Sequence, residues 1–166
     1  MTTRIRQFSF FWIALIAIGA HAQTGSTSNP ADEGMSQSQL LHSLEDFGGL
    51  SAYAEENAAL PAAPVNRVIF FGDSITEFWG KNSSFFPGKP YLNRGIAGQT
   101  TAQMLIRFRQ DVINLKPAAV IIQGGLADIA GFTGPSSLEE IENNLRSMAE
   151  LASFNHISPI LVGEPP

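Results

Sequence analysis

The sequence predicts an α/β fold in which a parallel sheet carries helices on both faces. Three observations carry that expectation. Short, continuous apolar runs at 68–71 and 118–125 read as buried strands, and 158–164 reads as a last strand. The first two stop at glycine, at Gly72 and at Gly124-Gly125, where a chain turns out of a strand. Between the runs, apolar residues recur at three- and four-residue spacing, the period of a helix packed on one side. Strands alternating with helices imply parallel pairing, because each crossover returns the chain to the same end of the sheet.

Composition sets the outer limits. The chain has 166 residues, 44% hydrophobic and 15% charged, which suits one globular domain with a core. A net charge of −5, with Lys and Arg scattered, gives no basis for nucleic acid as a partner. No cysteine is present, so disulfides and thiolate metal sites are excluded. His21, His42 and His156 have no second ligand at metal spacing, and neither metal nor cofactor is expected.

Along the chain, "MTTRIRQ", the apolar "FSFFWIALIAIGA" and the small residues of "AHA" have the three parts of a secretory signal peptide over 1–22. The apolar run is short for a membrane span, so none is expected in the mature chain, which would be exported to the periplasm or beyond the cell. Residues 23–38 are rich in Ser, Thr, Gly and Pro and read as a flexible linker. The domain is expected over 39–166.

Residues 39–60 read as two helical pieces broken at Gly48-Gly49. Leu50, Tyr53, Ala54, Asn57 and Ala58 share one face, and Glu55 and Glu56 turn away. "PAAP" at 61–64 ends the second piece. The strand at 68–71 follows, then a helix beginning near residue 75. "YLNRGIAG" at 91–98 holds a weaker strand. Residues 100–116 read as a helix with Met104, Leu105, Phe108, Val112 and Ile113 on its apolar face and Pro117 as its stop. The segment 136–153 is the clearest helix. Ser137 and Glu140 form a capping box, and Leu138, Ile141, Leu145, Met148 and Ala152 form the stripe.

In parallel sheets, ligands sit beyond the carboxyl ends of the strands. Three stretches fall there: Gly72-Asp73-Ser74, residues 95–101 and residues 124–128. At a strand-to-helix turn, Ser74 could present both a hydroxyl and an N–H group, as a nucleophile and its oxyanion donor do. Asp73 or Ser74 could equally serve only as a helix cap. Gly98 precedes a helix, where its N–H could meet a developing negative charge, or where the glycines only allow a turn and Thr100 caps. The stretch lacks the lysine and spacing of a phosphate loop. No glycine fingerprint or ribose-binding acid supports a nucleotide-binding module.

"GDSIT" after a strand, then "NRGIAGQTT", then a strand ending in a double glycine with "DI" shortly after, resemble blocks I, II and III of the SGNH (GDSL-type) serine hydrolases. The likeness is closest to the secreted lysophospholipase-like and acetylhydrolase-like esterases and spans roughly residues 45–164. The resemblance implies a three-layer α/β/α, flavodoxin-like fold and a small acyl-ester substrate. It gives Ser74 the nucleophile's position and the N–H groups of Ser74 and Gly98 two oxyanion donors' positions. Two departures stand beside it. The family's third donor is the asparagine of a Gly-Thr-Asn-Asp pattern, and here Gly125-Leu126-Ala127-Asp128 places Ala127 there. The family's general base lies in an Asp-x-x-His block after a further strand and before a final helix, and that pattern occurs nowhere before Pro166.

No remaining group reads as a substitute base. His156 sits before the last strand, at the end of the sheet opposite Ser74, and His42 reads as surface. Asp128 is expected to cap the following segment and Asp73 to brace its turn. Losing one oxyanion donor lowers turnover by about 10²–10³, and losing a triad histidine by on the order of 10⁶. The chain alone is therefore expected to be a weak or inactive esterase. The alternative is a non-catalytic paralogue that binds a ligand or a partner. The last strand is expected to be an apolar edge open to pairing in trans.

Overall fold

The computed structural model describes residues 41, 44–79 and 86–163. The expected signal peptide, the linker, His21 and His42 lie outside the described residues, as do residues 164–166. Four strands, β1 (Val68–Gly72), β2 (Tyr91–Gly95), β3 (Ala119–Gln123) and β4 (Ser158–Val162), form one parallel sheet in the order β2-β1-β3-β4. Gly72 lies level with Gly95 on one side and Gln123 on the other. The chain leaves β1 for β2 on one flank and then crosses to β3 on the opposite flank. The carboxyl ends of β1 and β3 therefore border the point where strand order reverses, the usual ligand position in such sheets.

Beside these strands run the helices α1 (Ala54–Ala59), α2 (Ser74–Phe78), α3 (Thr101–Asp111), α4 (Leu126–Ile129) and α5 (Leu138–Phe154). Helices lie on both faces of the sheet, as the alternation predicts. On one face Ile69, Phe71, Val120 and Ile122 meet Met104, Phe108 and Val112, and Met148 and Ala152 from α5, all fully buried. Each large side chain so buried contributes about 1.5–3 kcal/mol. On the other face the ring of Phe70 packs against Trp79, Phe86 and Tyr91 at centroid distances of 5.5, 5.1 and 5.9 Å.

Ser137 and Glu140 form the capping box of α5 as expected. Three expectations are corrected. The helix expected over 100–116 stops at Asp111. Val112 adopts φ −126°, ψ −66°, and a 3-10 turn at Ile113–Leu115 leads to Lys116 at φ +49°. Val112, Ile113 and Leu115 are all buried along this kinked stretch. The face expected on the 39–60 segment docks through polar groups instead. Leu50, Ala54 and Ala58 are exposed, while Tyr53 donates from its hydroxyl to the Gly95 carbonyl and Asn57 donates to Asp111. Glu56 is not idle either, since its carboxylate pairs with Arg94 at 2.8 Å. Leu138, expected in the α5 stripe, lies in the first turn and is exposed.

The polar core is the fold's least expected feature. Arg107 and Asp111, both fully buried, pair across one turn of α3 at 3.0 Å. Arg107 also donates to the carbonyls of Gly72 (3.0 Å) and Arg94 (2.9 Å) and to Gln99, and its guanidinium lies 4.2 Å from the Phe71 ring centre. Burial pulls Arg107 below the ordinary arginine range, and the adjacent Asp111 carboxylate opposes that shift. Arginine titrates so high that it stays cationic all the same.

Replacing Arg107 with Met leaves the buried Asp111 carboxylate without its counter-charge and takes a donor from the carbonyls of Gly72 and Arg94. The expected loss is about 3–5 kcal/mol in urea unfolding, and Arg107→Lys recovers little of it because an ammonium cannot span four separate acceptors. A second outcome concerns pH. The Ser137 backbone N–H holds the Glu140 carboxyl below its ordinary value of 4.5. The folded value is the lower one, so the stabilisation is present above 4.5 and is lost as pH falls through the folded value. The difference in melting temperature between the native chain and Glu140→Gln should therefore shrink on acidification below that point.

Candidate functional site

Gly72 ends β1 because nothing larger fits. A Cβ there would stand 2.2 Å from Thr76 Oγ1 and 2.6 Å from the Gln123 carbonyl oxygen. That space is used by a buried hydrogen bond in which Thr76 Oγ1 donates to Gln123 Oε1 at 2.9 Å, tying α2 to the end of β3. Gly95 faces the same crowding, with the Glu77 backbone nitrogen 2.1 Å from its would-be Cβ. The two glycines let α2 settle against the strand ends.

Asp73 is the N-cap of α2. It is buried, and its Oδ1 accepts the Ile75 N–H at 3.0 Å. Ser74 is the first residue of that helix and is half-buried. Its hydroxyl and its N–H have no hydrogen-bond partner among the described residues, nor has the N–H of Gly98. Gly98 takes φ +77° between β2 and α3, a conformation that favours glycine. Thr100 then opens α3 with a capping box in which its N–H donates to Gln103 Oε1 at 3.0 Å.

The three stretches singled out in the sequence meet at one hollow of about 180 Å³. Asp73, Ser74 and Gly98 line one part of it, and Leu126, Ala127, Ala130 and Phe132 line the rest. Ala127 is buried and offers only a methyl group. Asp128, expected to cap the segment after it, instead caps α3. Its two carboxylate oxygens accept the Thr101 N–H (2.8 Å) and the Thr101 hydroxyl (2.6 Å), and Asn144 of α5 donates to that hydroxyl at 3.1 Å. The sequence reading missed this long-range role because Asp128 and Thr101 are neighbours only once the sheet has formed. It also missed Phe132, whose loop carries no periodic signal. His156 is exposed at the start of β4, at φ +61°, at the other end of the sheet from Ser74.

Larger hollows lie elsewhere, including one of about 230 Å³ beside Leu60 and Arg67. Another of about 710 Å³ runs beside Lys116, Pro117 and Asn155 at the amino ends of the strands. A third of about 590 Å³ lies between α5 and Leu161. The serine in the third, Ser153, donates its hydroxyl to the Ala149 carbonyl. None of these combines a free hydroxyl with unpaired N–H groups, so size is a poor guide here.

A family model described as "GDSL-like Lipase/Acylhydrolase family" matches residues 70–166, more than half of the chain. Among solved structures, the chain is similar to a GDSL-like lipase from Bacteroides thetaiotaomicron at 48% identity, with a TM-score of 0.66. It is similar at 47% identity, again with a TM-score of 0.66, to a protein from Bacteroides fragilis described as an acylhydrolase. In both cases 69% of this chain is covered, with 58% and 57% of the other chain. This chain thus spans little more than half the length of these relatives. A catalytic mutant of an acetylxylan esterase from Geobacillus stearothermophilus shares the fold at 23% identity, a TM-score of 0.50 and 61% coverage of each chain. No curated protein sequence matches. Among the described residues, no helix is long and apolar enough to cross a membrane.

The architecture of the hollow is open to direct test. Gly72→Ala should destabilise the chain by about 1–3 kcal/mol, because its methyl meets backbone that cannot yield. Asp128→Ala should lose about 1.5–3 kcal/mol, as expected for hydrogen bonds to a charged group. Urea unfolding of each variant against the native chain checks both.

Proposed function

Because this chain belongs to the GDSL-like lipase/acylhydrolase family, we propose that it is a carboxylic-ester hydrolase by lineage whose Ser74 addresses the acyl carbon. The observation that carries this reading is the meeting of three strand ends at one hollow, where a free serine hydroxyl stands with two unpaired N–H groups. In the proposed reaction a bond forms between Ser74 Oγ and the acyl carbon, and the carbonyl electron pair moves onto oxygen. The N–H groups of Ser74 and Gly98 stabilise that charge. Collapse breaks the bond to the leaving alcohol, which takes up a proton, and water then releases the acid. Lysophospholipid-like and acetyl-type esters are the substrate classes this reading admits. The apolar segment near the N-terminus supports export of the chain.

The reaction also needs an acceptor for the Ser74 proton. Asp73 is the only titratable residue lining the hollow among the described residues, and its Oδ1 is engaged by Ile75. Ala127 supplies no third donor. Slow turnover is therefore part of the proposal. A neutral serine is a poor nucleophile, and one missing oxyanion donor alone lowers rate by about 10²–10³. Ala127 equally favours a second reading, a hollow that holds an acyl ligand without cleaving it.

A fluorophosphonate probe separates the two. The purified chain, followed by intact mass, should add one probe slowly at Ser74, and Ser74→Ala should add none. Ala127→Asn should speed labelling by about 10² if the amide reaches the developing charge. A folded chain that never labels would leave the ligand-binding reading in possession. Labelling as fast as that of an unimpaired serine hydrolase would refute the weak-turnover part.

A further inference from the structure

We infer that Phe132 limits the acyl length this site accepts, so that its esters carry short acyl groups, acetyl to butyryl, and not fatty acyl chains. The inference rests on the ester-hydrolase reading above and narrows it.

The ring of Phe132 is held where no core packing requires it. It is 65% exposed, high for a phenyl group, and its ring stands next to Gly98. A Cβ on Gly98 would lie 3.4 Å from two of its ring carbons, an ordinary contact distance. The ring therefore lies beside Gly98, whose N–H has no partner among the described residues.

Its backbone is anchored from three sides. The Phe132 N–H donates to the Ala127 carbonyl at 3.1 Å, the Gly131 N–H to Asp128 at 3.0 Å and the Gly134 N–H to Gly131 at 3.0 Å. Gly131 at φ +74° and Gly134 at φ +110° allow the tight bend that carries Phe132. Because Asp128 itself is fixed to Thr101, the wall is tied to the helix that follows Gly98.

The hollow is divided by chemistry. Ser74, Gly98 and Asp73 bring its polar groups, and Leu126, Ala127, Ala130 and Phe132 bring its apolar ones. An ester oxygen held by the N–H groups sends its acyl chain toward the apolar part. There the volume of about 180 Å³ is small. At roughly 30 Å³ for a water-sized group, it takes about six non-hydrogen atoms. Three belong to the ester group, which leaves room for about three further carbons before the chain meets the Phe132 ring.

The test uses p-nitrophenyl phosphonates bearing a methyl, propyl or octyl group, phosphorus standing in for the acyl carbon. Ser74 Oγ bonds to phosphorus, p-nitrophenolate leaves and the serine proton passes to solvent. Intact mass and released p-nitrophenolate give the rate for each probe. In the native chain the octyl probe should react at least about tenfold slower than the propyl probe, since a few misplaced methylenes discriminate on that scale. In Phe132→Ala, shown to be folded by its melting temperature, the octyl-to-propyl ratio should rise about tenfold. Equal rates for propyl and octyl in the native chain, or a ratio unmoved by Phe132→Ala, overturns the inference.

Failure of every phosphonate to react would sink the hydrolase reading instead. The pocket is then decided by titrating butyrate and octanoate against the methyl resonances of Ala127 and Ala130. Butyrate alone should shift them in the native chain, and both acids should in Phe132→Ala. Equal shifts from both acids in the native chain, or none from either, count against the wall.

Discussion

A single buried cation holds the strand ends in place. Arg107 reaches from α3 under the rim of the sheet and donates to the last carbonyl of β1, at Gly72, and to Arg94 near the end of β2. These carbonyls lie where the chain leaves the sheet, and a buried carbonyl without a donor is costly. Gly72 also accepts the Ile96 N–H at 3.0 Å, so the segment leading to Gly98 is tied to the same atom. Arginine suits the task because its five donors lie in one plane and point in different directions. Asp111 compensates the charge, and Phe71 offers its ring face to the guanidinium. The tripeptide bearing Ser74 thus begins at a fixed point.

Two further buried bonds complete the frame. Thr76 to Gln123 joins α2 to β3, and Thr101 to Asp128 joins α3 to α4. With Arg107, each of the three segments around the hollow is tied to another by a polar contact shielded from water. Such contacts are directional, and removing one partner leaves the other unsatisfied. They fix position where apolar packing alone would tolerate sliding. The residues whose groups are left without a partner among the described residues, Ser74 with its hydroxyl and N–H and Gly98 with its N–H, both line that hollow.

Much of the fold was legible because it rests on periodicity. The strands at 68–71 and 118–123, the stripe of Met104 and Phe108 and the capping box of Ser137 all announce themselves locally. The meeting of Ser74, Gly98 and Ala127 was legible from strand-end topology combined with the family resemblance. What could not be read locally depends on pairing across the sheet. Arg107 and Asp111 fall on the same helical face as Met104 and Phe108, so their burial was in principle visible. A charged residue in an apolar stripe is ordinarily assigned to solvent, and only the carbonyls of β1 and β2 explain it. The kink at Val112 was hidden for a related reason. The apolar pattern continues through Ile113 and Leu115, and it fits a helix until the core's shape is known. Tyr53 and Asn57 likewise lay on the face read from the sequence, but their hydrogen bonds, not the neighbouring alanines, make it stick.

The apolar lining of the hollow acts in two directions at once. In the proposed reaction Leu126, Ala127 and Phe132 bring no side-chain donor to a developing oxyanion, so its charge would rest on backbone N–H groups such as those of Ser74 and Gly98. The same residues displace water from around those groups, and a hydrogen bond to charge strengthens as the local dielectric falls. The balance depends on how deeply the charge sits. An oxyanion close to Ser74 and Gly98 gains from the dry wall, whereas one shifted toward Ala127 would face a methyl group and lose solvation without compensation. In the proposed reaction the N–H groups would therefore do more than stabilise. They would hold the reacting carbon in the polar part of the hollow and so direct whatever is attached to it toward the part lined by Phe132.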